Sequence, residues 1–390
     1  MTLSLDHIMA ADAAQIPLYA KRDIAIVRGE GNYLFDSTGK RYLDAMSNYG
    51  VASLGHAHPA FTAALADQLG KLTTAHQSFY NDARSMFLEE IARIAPEGVG
   101  RSFLSNSGTE AIEAALKFAR TATGRSGLVA AKRGYHGRTL GALSATAEKK
   151  YREPFEGILG QAVTHVGFND MEALEGAVTA ETAAIVLEPV QGEGGIYLAD
   201  TAWLQRARDL ADTFGAILIF DEVQSGFRTG SPFYSVANGV VPDILVTAKA
   251  IANGLPVSVT LVTDAIADAV PGGAHGSTFG GNPLICRGGA ETLRIMREDD
   301  LYANAARVGK YVIAKIEALE SSRIRAVRGT GLMFGIELKM KAGPVLKALQ
   351  ERGVLALMAG TLVLRFLPPM TWTEEQADEL VAALADVLHG

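Results

Sequence analysis

From about residue 61 the sequence alternates short apolar runs with longer stretches of helical pattern, and this alternation limits the folds open to it. The apolar runs are RSFLSN (101–106), GLVAA (127–131), AAIVL (183–187), AILIF (216–220) and SVTLV (258–262). Strands that alternate with helices are typical of α/β domains built on a mainly parallel sheet. The sequence therefore predicts an α/β fold with a large, mainly parallel sheet.

The two ends of the chain have a different texture. Residues 26–45 read as short strands separated by Gly and Asn/Asp/Ser turns. After about residue 283, helical stretches precede the apolar segments GLMFGIELK (331–339) and LVLRFLP (362–368). We predict a large domain (61–283) and a smaller C-terminal α+β domain (284–390). We expect the N-terminal segment (1–60) to pack with this small domain.

Composition excludes several classes of partner and compartment. The net charge of −7 argues against nucleic acid or an anionic membrane as the main partner. The single cysteine, Cys286, cannot form an intrachain disulfide, which fits a reducing compartment. No apolar run reaches the roughly 18–20 residues of a membrane helix, and the first residues lack the pattern of a signal peptide. We expect a cytoplasmic protein.

Polar, Gly-rich segments follow four consecutive predicted strands. They read SGTEA after the first strand, then KRGYHGRT, EPVQGEGG and DEVQSG. Ligands of parallel α/β sheets bind beyond the carboxyl ends of the strands. The sequence therefore predicts a ligand site at this edge of the sheet.

Ser107, Gly108 and Thr109 stand at the start of a predicted helix that runs to Thr123. Apolar residues recur along it at helical spacing, at Ile112, Ala115, Leu116 and Ala119. Free N–H groups and the positive end of the helix dipole make such a start suitable for a phosphate group. An ordinary N-cap explains the same three residues and remains open at this point.

The run AILIF ends in two acids, Asp221 and Glu222. An uncompensated buried charge is expensive, so such an acid usually has a structural, metal or cofactor partner. Further along, Lys249 lies between small residues, where a desolvated amine would have a lowered pKa and become nucleophilic toward aldehydes. A surface lysine whose stem covers a loop is the alternative.

These features match the needs of pyridoxal phosphate when they are taken together. A lysine can hold its aldehyde, an acid can keep its ring nitrogen protonated, and a helix start can hold its phosphate. The chain also resembles the class III pyridoxal-phosphate aminotransferases of fold type I over nearly its whole length. The resemblance is carried by seven blocks, GVASLGHAHP (50–59), LSNSGTEAIEAALKFAR (104–120), YHGRTLGALSAT (135–146), EPVQGEGG (188–195), FDEVQSG (220–226), PDILVTAKAIANGLP (242–256) and HGSTFGGNP (275–283).

The resemblance implies a homodimer with active sites at the subunit interface and pyridoxal 5'-phosphate as the cofactor. It makes Lys249 and Asp221 the catalytic residues, with Lys249 carrying the cofactor and Asp221 paired with the ring nitrogen. It also implies that Gln224 contacts the ring hydroxyl and that Tyr135 stacks on the ring face. The further cofactor-binding residues are Ser107, Gly108, Thr109, Tyr135, His136 and, from the other subunit, Thr278.

Arg138 and Arg365 stand where the family handles carboxylates. A guanidinium binds a carboxylate through two parallel hydrogen bonds, so two of them suit the dicarboxylates glutamate and 2-oxoglutarate. Glu193 resembles the residue that neutralises Arg365 when a substrate has no second carboxylate. Structural ion pairs remain the alternative for all three residues.

Several stretches, above all GVLALMAGTLVLRFLPP (353–369), resemble the acetylornithine and lysine-biosynthesis branch. That branch implies transfer of the terminal amino group of an N-blocked diamino acid to 2-oxoglutarate. The blocking group is a LysW-type carrier or an acetyl group. Basic residues could meet an acidic amino-group carrier protein, or they are solvated surface charges. They are Lys132, Arg133, Arg138, Lys149, Lys150 and Arg152.

Other chemistries on the same fold remain open, namely a 4-aminobutyrate or free-ornithine transaminase, an aminomutase or a non-catalytic binding protein. The segment GFRTG (226–230) is one Gly shorter than the family's usual GFGRTG, and residues 252–254 replace a Gly-rich stretch. We expect both changes near the substrate entrance. His56 and His58 have no evident further metal ligands, so we expect no metal site.

Overall fold

The structure is a computed structural model that describes residues 3–160 and 162–389. Its strands are β1 (Ile26–Glu30), β2 (Tyr33–Asp36), β3 (Arg41–Asp44), β4 (Arg101–Ser105), β5 (Gly127–Ala131), β6 (Val163–Val166), β7 (Thr182–Leu187), β8 (Val190–Gln191), β9 (Tyr197–Leu198), β10 (Ile217–Asp221), β11 (Ile244–Thr247), β12 (Ser258–Val262), β13 (Ile324–Thr330), β14 (Met333–Leu338), β15 (Val354–Leu355), β16 (Leu357–Ala359) and β17 (Val363–Phe366).

The helices are α1 (Leu5–Asp12), α2 (Ser47–Gly50), α3 (Pro59–Leu69), α4 (Asp82–Ile94), α5 (Gly108–Thr123), α6 (Leu140–Ala145), α7 (Lys149–Arg152), α8 (Met171–Ala177), α9 (Thr201–Phe214), α10 (Tyr234–Ala237), α11 (Asp264–Ala269), α12 (Pro283–Glu298), α13 (Leu301–Glu317), α14 (Ala342–Glu351) and α15 (Glu374–His389). Two short 3₁₀ segments cover Glu153–Ile158 and Lys249–Ala252. Within the described residues, no helix is long and apolar enough to cross a membrane.

A seven-stranded sheet in the order β4-β12-β11-β10-β7-β5-β6 forms the centre of the molecule. Its pairings are parallel except that β12 runs antiparallel to both β11 and β4. The link from β11 to β12 contains only a 3₁₀ turn, and a parallel pair would need a longer crossover. The predicted α/β fold class is confirmed, with one reversed strand.

Helices cover both faces of this sheet. On one face α5 buries Ile112, Ala115, Leu116 and Ala119, the four residues of its predicted stripe, against strands β7, β10 and β11. On the other face α9 packs Trp203 and its neighbours against alternate residues of β7 and β10. Each strand therefore contributes to two apolar layers, which explains why its sequence is almost continuously apolar.

Two smaller sheets involve the chain ends. Strands β13, β14, β17 and β16 form an antiparallel sheet, and β3 pairs in parallel with β15. The Tyr33 hydroxyl also donates a hydrogen bond to Glu379 at 2.9 Å. The first strands thus contact the C-terminal part of the chain, while the boundaries drawn at residues 60 and 283 stay a prediction.

Candidate active site

A cavity of about 430 Å³ lies at the carboxyl edge of the large sheet. Residues that follow β4, β5, β7, β10 and β11 line it, because these parallel strands all end at the same edge. The structure brings most of the predicted site residues together here. They are Ser107, Gly108, Thr109, Tyr135, His136, Arg138, Glu193, Asp221, Gln224 and Lys249.

Asp221 is the last residue of β10 and is 5% exposed. Its Oδ2 lies 2.8 Å from Nδ1 of the buried His136, and its Oδ1 accepts a hydrogen bond from the Val223 amide at 3.1 Å. Burial works against a charge on His136. The hydrogen bond and negative charge of Asp221 outweigh it and raise the pKa of the imidazole. The acid is thus held in one orientation at the floor of the cavity.

Glu222, the second acid, points away from the cavity. Its carboxylate accepts hydrogen bonds from the amides of Tyr234 and Ser235 at 2.9 and 2.7 Å, at the start of α10. Both serine hydroxyls nearby, those of Ser225 and Ser235, donate to it as well. Burial raises the pKa of Glu222 even so. Its partner is therefore structural, whereas Asp221 faces the cavity.

Lys249 follows β11 and lines the cavity from the neighbouring strand end. Its backbone has φ of +49°, a conformation that residues other than Gly rarely adopt and that is often found at functional sites. Lys249 is partly exposed, at the cavity, and is otherwise buried in the protein. Burial lowers its pKa, although the carboxylate of Glu193 opposes the change. A larger fraction of the amine is therefore neutral and nucleophilic.

Helix α5 begins at the cavity wall with a capping box. Ser107 Oγ accepts from the Glu110 amide at 3.4 Å, and the Glu110 carboxylate accepts from the Asn106 amide at 3.1 Å. The N–H groups of Gly108 and Thr109 find no acceptor among the described residues. The N-cap reading is confirmed by these contacts, and the phosphate reading stays a prediction that the two free donors leave open.

Close packing at the helix start leaves no room for a larger residue at position 108. A Cβ added to Gly108 would lie 2.9 Å from Cγ1 of Val223. The donor set therefore fits pyridoxal phosphate, with free amides for its phosphate, a buried acid for its ring nitrogen and a lysine amine for its aldehyde.

Arg365 on β17 reaches the cavity wall from the smaller sheet. Its side chain is fully buried, and Nη1 lies 2.6 Å from Glu193 Oε1 and 3.1 Å from Gln224 Oε1. Glu193 is 24% exposed, and although burial alone would raise its pKa, the charge of Arg365 lowers it. The expected Arg365–Glu193 pair is thus present in the geometry.

Arg138 has a different environment. It is exposed, and its guanidinium lies 4.8 Å from the ring centroid of Tyr151 and 5.9 Å from that of Tyr135. Cation–π contacts of this kind hold a guanidinium over an aromatic face while it stays accessible. Arg138 therefore stands at the entrance and Arg365 at the inner wall.

Thr278, unlike the other predicted site residues, neither lines this cavity nor, among the described residues, forms a hydrogen bond with a residue that does. It is exposed, on a segment that also exposes 66% of Phe279. The prediction that it serves the other subunit remains a prediction. The His56 ring pairs instead with the buried Asp44, Nε2 to Oδ2, at 2.7 Å. Within the described residues no cluster suited to a metal ion is present.

Sequence reasoning did not identify Glu188 and Val223, which also line the cavity. Glu188 follows β7 directly, and its carboxylate accepts from the amides of Tyr135 at 2.8 Å and Gly192 at 3.2 Å. Burial raises the pKa of Glu188 to about 7. Its position as an acid just after a buried strand is the same signal that identified Asp221. The second residue, Val223, carries no such signal, because a lone valine in a Gly-rich segment reads as core.

The shortened GFRTG segment is not at the substrate entrance, so that expectation was wrong for this change. Arg228 is fully buried and Phe227 takes the positive φ of +71°. Gly254, from the other altered stretch, does line the cavity.

This sheet order with an acid, a lysine and a helix start around one cavity defines a pyridoxal-phosphate-dependent transferase. Residues 18–388 match the family model described as aminotransferase class-III, and the chain belongs to that family. Enzymes of this class use pyridoxal phosphate, and the present chain is one of these aminotransferases.

Relatives agree on the class of reaction. The chain is 48% identical over 375 residues to a [LysW]-aminoadipate semialdehyde transaminase of Deinococcus radiodurans, covering 95% of this chain and 87% of the relative. It is 38% identical to an acetylornithine aminotransferase of Methanosarcina acetivorans, with 97% and 95% covered. The solved ornithine aminotransferase of Toxoplasma gondii with partial occupancy of PLP superposes with a TM-score of 0.94 at 30% identity, covering 99% of this chain and 94% of that one.

Proposed function

We propose that the protein transfers the terminal amino group of an N-blocked diamino acid to 2-oxoglutarate, reversibly, giving glutamate and a semialdehyde. The donor is lysine or ornithine on a LysW-type carrier protein, or acetylornithine, in lysine or arginine biosynthesis. The proposal is carried by Arg365, a buried guanidinium that Glu193 holds at the wall of the cavity lined by Lys249. The names of the relatives above support the same substrates.

Pyridoxal phosphate, when bound, supplies an aldehyde that accepts the amino group and a ring that withdraws electrons from the reacting carbon. Lys249 would hold the cofactor through its aldehyde, and its free amine would accept and return a proton at Nζ. The lowered pKa of Lys249 favours the neutral amine that this proton transfer needs. Proton transfer by a positioned group typically contributes about 10²–10⁴ in rate.

Asp221 keeps the ring nitrogen of the cofactor protonated, and His136 behind it fixes the orientation of the carboxylate. Gln224 would bind the ring hydroxyl and Tyr135 would hold the ring face. The phosphate is held at the start of α5 by Ser107, Gly108 and Thr109, where two free amides face the cavity. These assignments use groups that already converge on one cavity.

Arg138 and Arg365 distinguish the substrates by the number of carboxylates that each substrate carries. With glutamate or 2-oxoglutarate, Arg365 leaves Glu193 and binds the carboxylate beside the reacting carbon. A blocked diamino acid has no carboxylate at that position, so Glu193 neutralises Arg365, because an unpaired buried charge would be costly. Arg138 at the entrance binds the carboxylate at the far end of either substrate.

A basic rim at the entrance suits an acidic carrier. Lys150 Nζ lies 4.7 Å from the Tyr151 ring centroid and the Arg133 guanidinium 4.7 Å from that of Tyr197. Exposed charges of this kind steer an oppositely charged partner. The KM for a carrier-bound donor should therefore rise with salt, while the KM for acetylornithine should not.

A homodimer completes the site in this proposal. The segment of Thr278 exposes Phe279, and the nearby Phe79 and Tyr80 are exposed as well. Large apolar side chains grouped on a surface are typical of an interface. Thr278 of one subunit then contacts the phosphate held by the other.

The test compares donors side by side with 2-oxoglutarate, using carrier-bound lysine, acetylornithine, free ornithine and 4-aminobutyrate. Glutamate should form from the blocked donors at the highest kcat/KM. Preference for 4-aminobutyrate or free ornithine would show the substrate assignment to be wrong. Borohydride reduction followed by peptide mapping should place the cofactor on Lys249, and label on another lysine would overturn the site.

A further inference from the structure

Residues Ser47–Gly50 form a turn that is unusual for L-amino acids. Four consecutive residues have positive φ, namely 39° at Ser47, 52° at Asn48, 61° at Tyr49 and 85° at Gly50. Left-handed backbone normally occurs at single residues, so a run of four must be held by its surroundings. We refer to Ser47–Gly50 as the left-handed turn.

This turn forms part of the active-site wall. Asn48 lines the cavity, and the guanidinium of Arg365 lies 5.4 Å from the ring centroid of Tyr49. At its start, Asp44 Oδ1 accepts hydrogen bonds from the amides of Met46 and Ser47 at 3.0 and 2.7 Å. The conformation of the turn thus sets which groups stand beside the substrate-side arginine.

Arg228 holds the other end of the turn. Its Nη2 donates to the Gly50 carbonyl at 2.7 Å, and its Nη1 donates to the carbonyls of Pro368 at 3.1 Å and Leu332 at 3.3 Å. Pro368 lies three residues beyond Arg365 on the same segment. One guanidinium therefore ties the turn to the strand end that carries Arg365.

Arg228 is chemically suited to hold several backbone carbonyls together. The side chain is fully buried, and its hydrogen-bond partners among the described residues are backbone carbonyls only. Burial lowers its pKa to about 10, so it remains a cation at neutral pH. A planar fork can reach three separate carbonyls, which the single ammonium of a lysine does less well.

We infer that Arg228 is a positioning residue that holds the left-handed turn against Arg365 and thereby tunes binding of the substrate carboxylate beside the reacting carbon. Arg228 itself does not line the cavity. The inference about this carboxylate rests on the proposed function, whereas the inference about the turn rests on the contacts alone.

Hydrogen exchange in the cofactor-loaded enzyme tests the turn directly. The variants Arg228→Lys and Gly50→Ala both disturb the same contact, since a Cβ at Gly50 would lie 3.1 Å from Arg228 Nη2 at a backbone with φ of +85°. Exchange of amides in the peptide spanning 46–51 should become about ten-fold faster in both, the factor equivalent to about 1.4 kcal/mol. Unchanged exchange in the variant that folds would overturn the inference.

Kinetics test the consequence. Arg228→Lys should raise KM for 2-oxoglutarate and Kd for glutarate about ten-fold, with a smaller change in KM for the blocked donor. A purely structural role predicts equal changes for both substrates, or only a lower melting temperature, and would contradict the inference. If the wild-type enzyme does not use 2-oxoglutarate, the proposed function fails, and the exchange result still decides the role of Arg228.

Arg125→Lys is the matched control. Arg125 Nη1 also donates only to carbonyls, those of Thr182 at 3.2 Å, Phe214 at 2.6 Å and Gly215 at 3.2 Å, at the opposite edge of the large sheet. This variant should change melting temperature without changing the ratio of the two KM values. A changed ratio would mean that loss of any guanidinium bonded to backbone carbonyls has the same effect, which contradicts a positioning role for Arg228.

Discussion

Replacement of Glu193 by Gln should make the enzyme bind dicarboxylates more tightly. Glu193 is the charged partner of Arg365, at 2.6 Å, and a second carboxylate must displace it. A hydrogen bond to a charged group contributes about 1.5–3 kcal/mol, and we take the lower value of about 1.5 because Glu193 is 24% exposed. This corresponds to about ten-fold tighter binding of glutarate by the variant. Arg365 keeps its 3.1 Å contact with Gln224.

The same change should weaken use of substrates that lack a second carboxylate. Acetylornithine would then meet a guanidinium without a carboxylate partner, and its KM should rise about ten-fold by the same reasoning. Because Arg365 holds the pKa of Glu193 below its ordinary value, the carboxylate stays ionised as pH falls toward 4.5. The difference between the two proteins should therefore persist down to roughly pH 5.

Calorimetric titration of glutarate and steady-state KM values for both substrates measure these effects. The control is Asp243→Asn at an ion pair away from the cavity. The Asp243 carboxylate lies 2.8 Å from Arg208 and is 25% exposed, much as Glu193 is. That variant should leave both affinities unchanged. Equal or weaker glutarate binding by Glu193→Gln would refute the reasoning that Glu193 competes with substrate for Arg365.

Three further outcomes follow from the site. Asp221→Asn should retain cofactor but lower kcat about 10²-fold or more, and near-wild-type turnover would contradict its role in holding the ring proton. In cofactor-free protein, burial raises the pKa of Glu188 to about 7 from 4.5, so the contribution of Glu188 to stability is greatest below pH 4.5 and is lost as pH rises to 7. The melting temperature of Glu188→Gln relative to wild type should therefore increase over this range, and a constant difference would argue against the raised pKa. Gly108→Ala should weaken cofactor binding about ten-fold in equilibrium dialysis, because the new Cβ would lie 2.9 Å from Val223, whereas undiminished affinity would show that the helix start can shift.

Much of the large domain was predictable, since its strands have continuous apolar sequences. The runs at 127–131 and 258–262 coincide with β5 and β12, and the stripe on α5 is buried as its spacing indicates. The direction of β12 was not predictable from the run itself, because an apolar run has no polarity that distinguishes parallel from antiparallel pairing. The shortness of the link before it carries that information.

In the site, too, features encoded in neighbouring residues could be predicted, whereas contacts between distant parts of the chain could not. Asp221 and Lys249 could be identified because each directly follows a buried strand. Glu222 looked equivalent to Asp221 in sequence, and only the return of the chain at Ser235 shows that its partner is a helix start. The role of Arg228 was equally hidden, since its three carbonyl partners come from distant parts of the chain.

The capping box at the start of α5 has a consequence for how the enzyme acquires its cofactor. Ser107 Oγ donates to the Glu110 carboxylate, which also accepts from the Asn106 amide, so the helix start is ordered without a ligand, while the amides of Gly108 and Thr109 have no acceptor among the described residues. Because this site is already ordered, an anion can bind there without the loss of conformational entropy that an unordered loop would undergo. We therefore expect cofactor-free enzyme to be reloaded in vitro by mixing with the cofactor, without passage through a partly unfolded state.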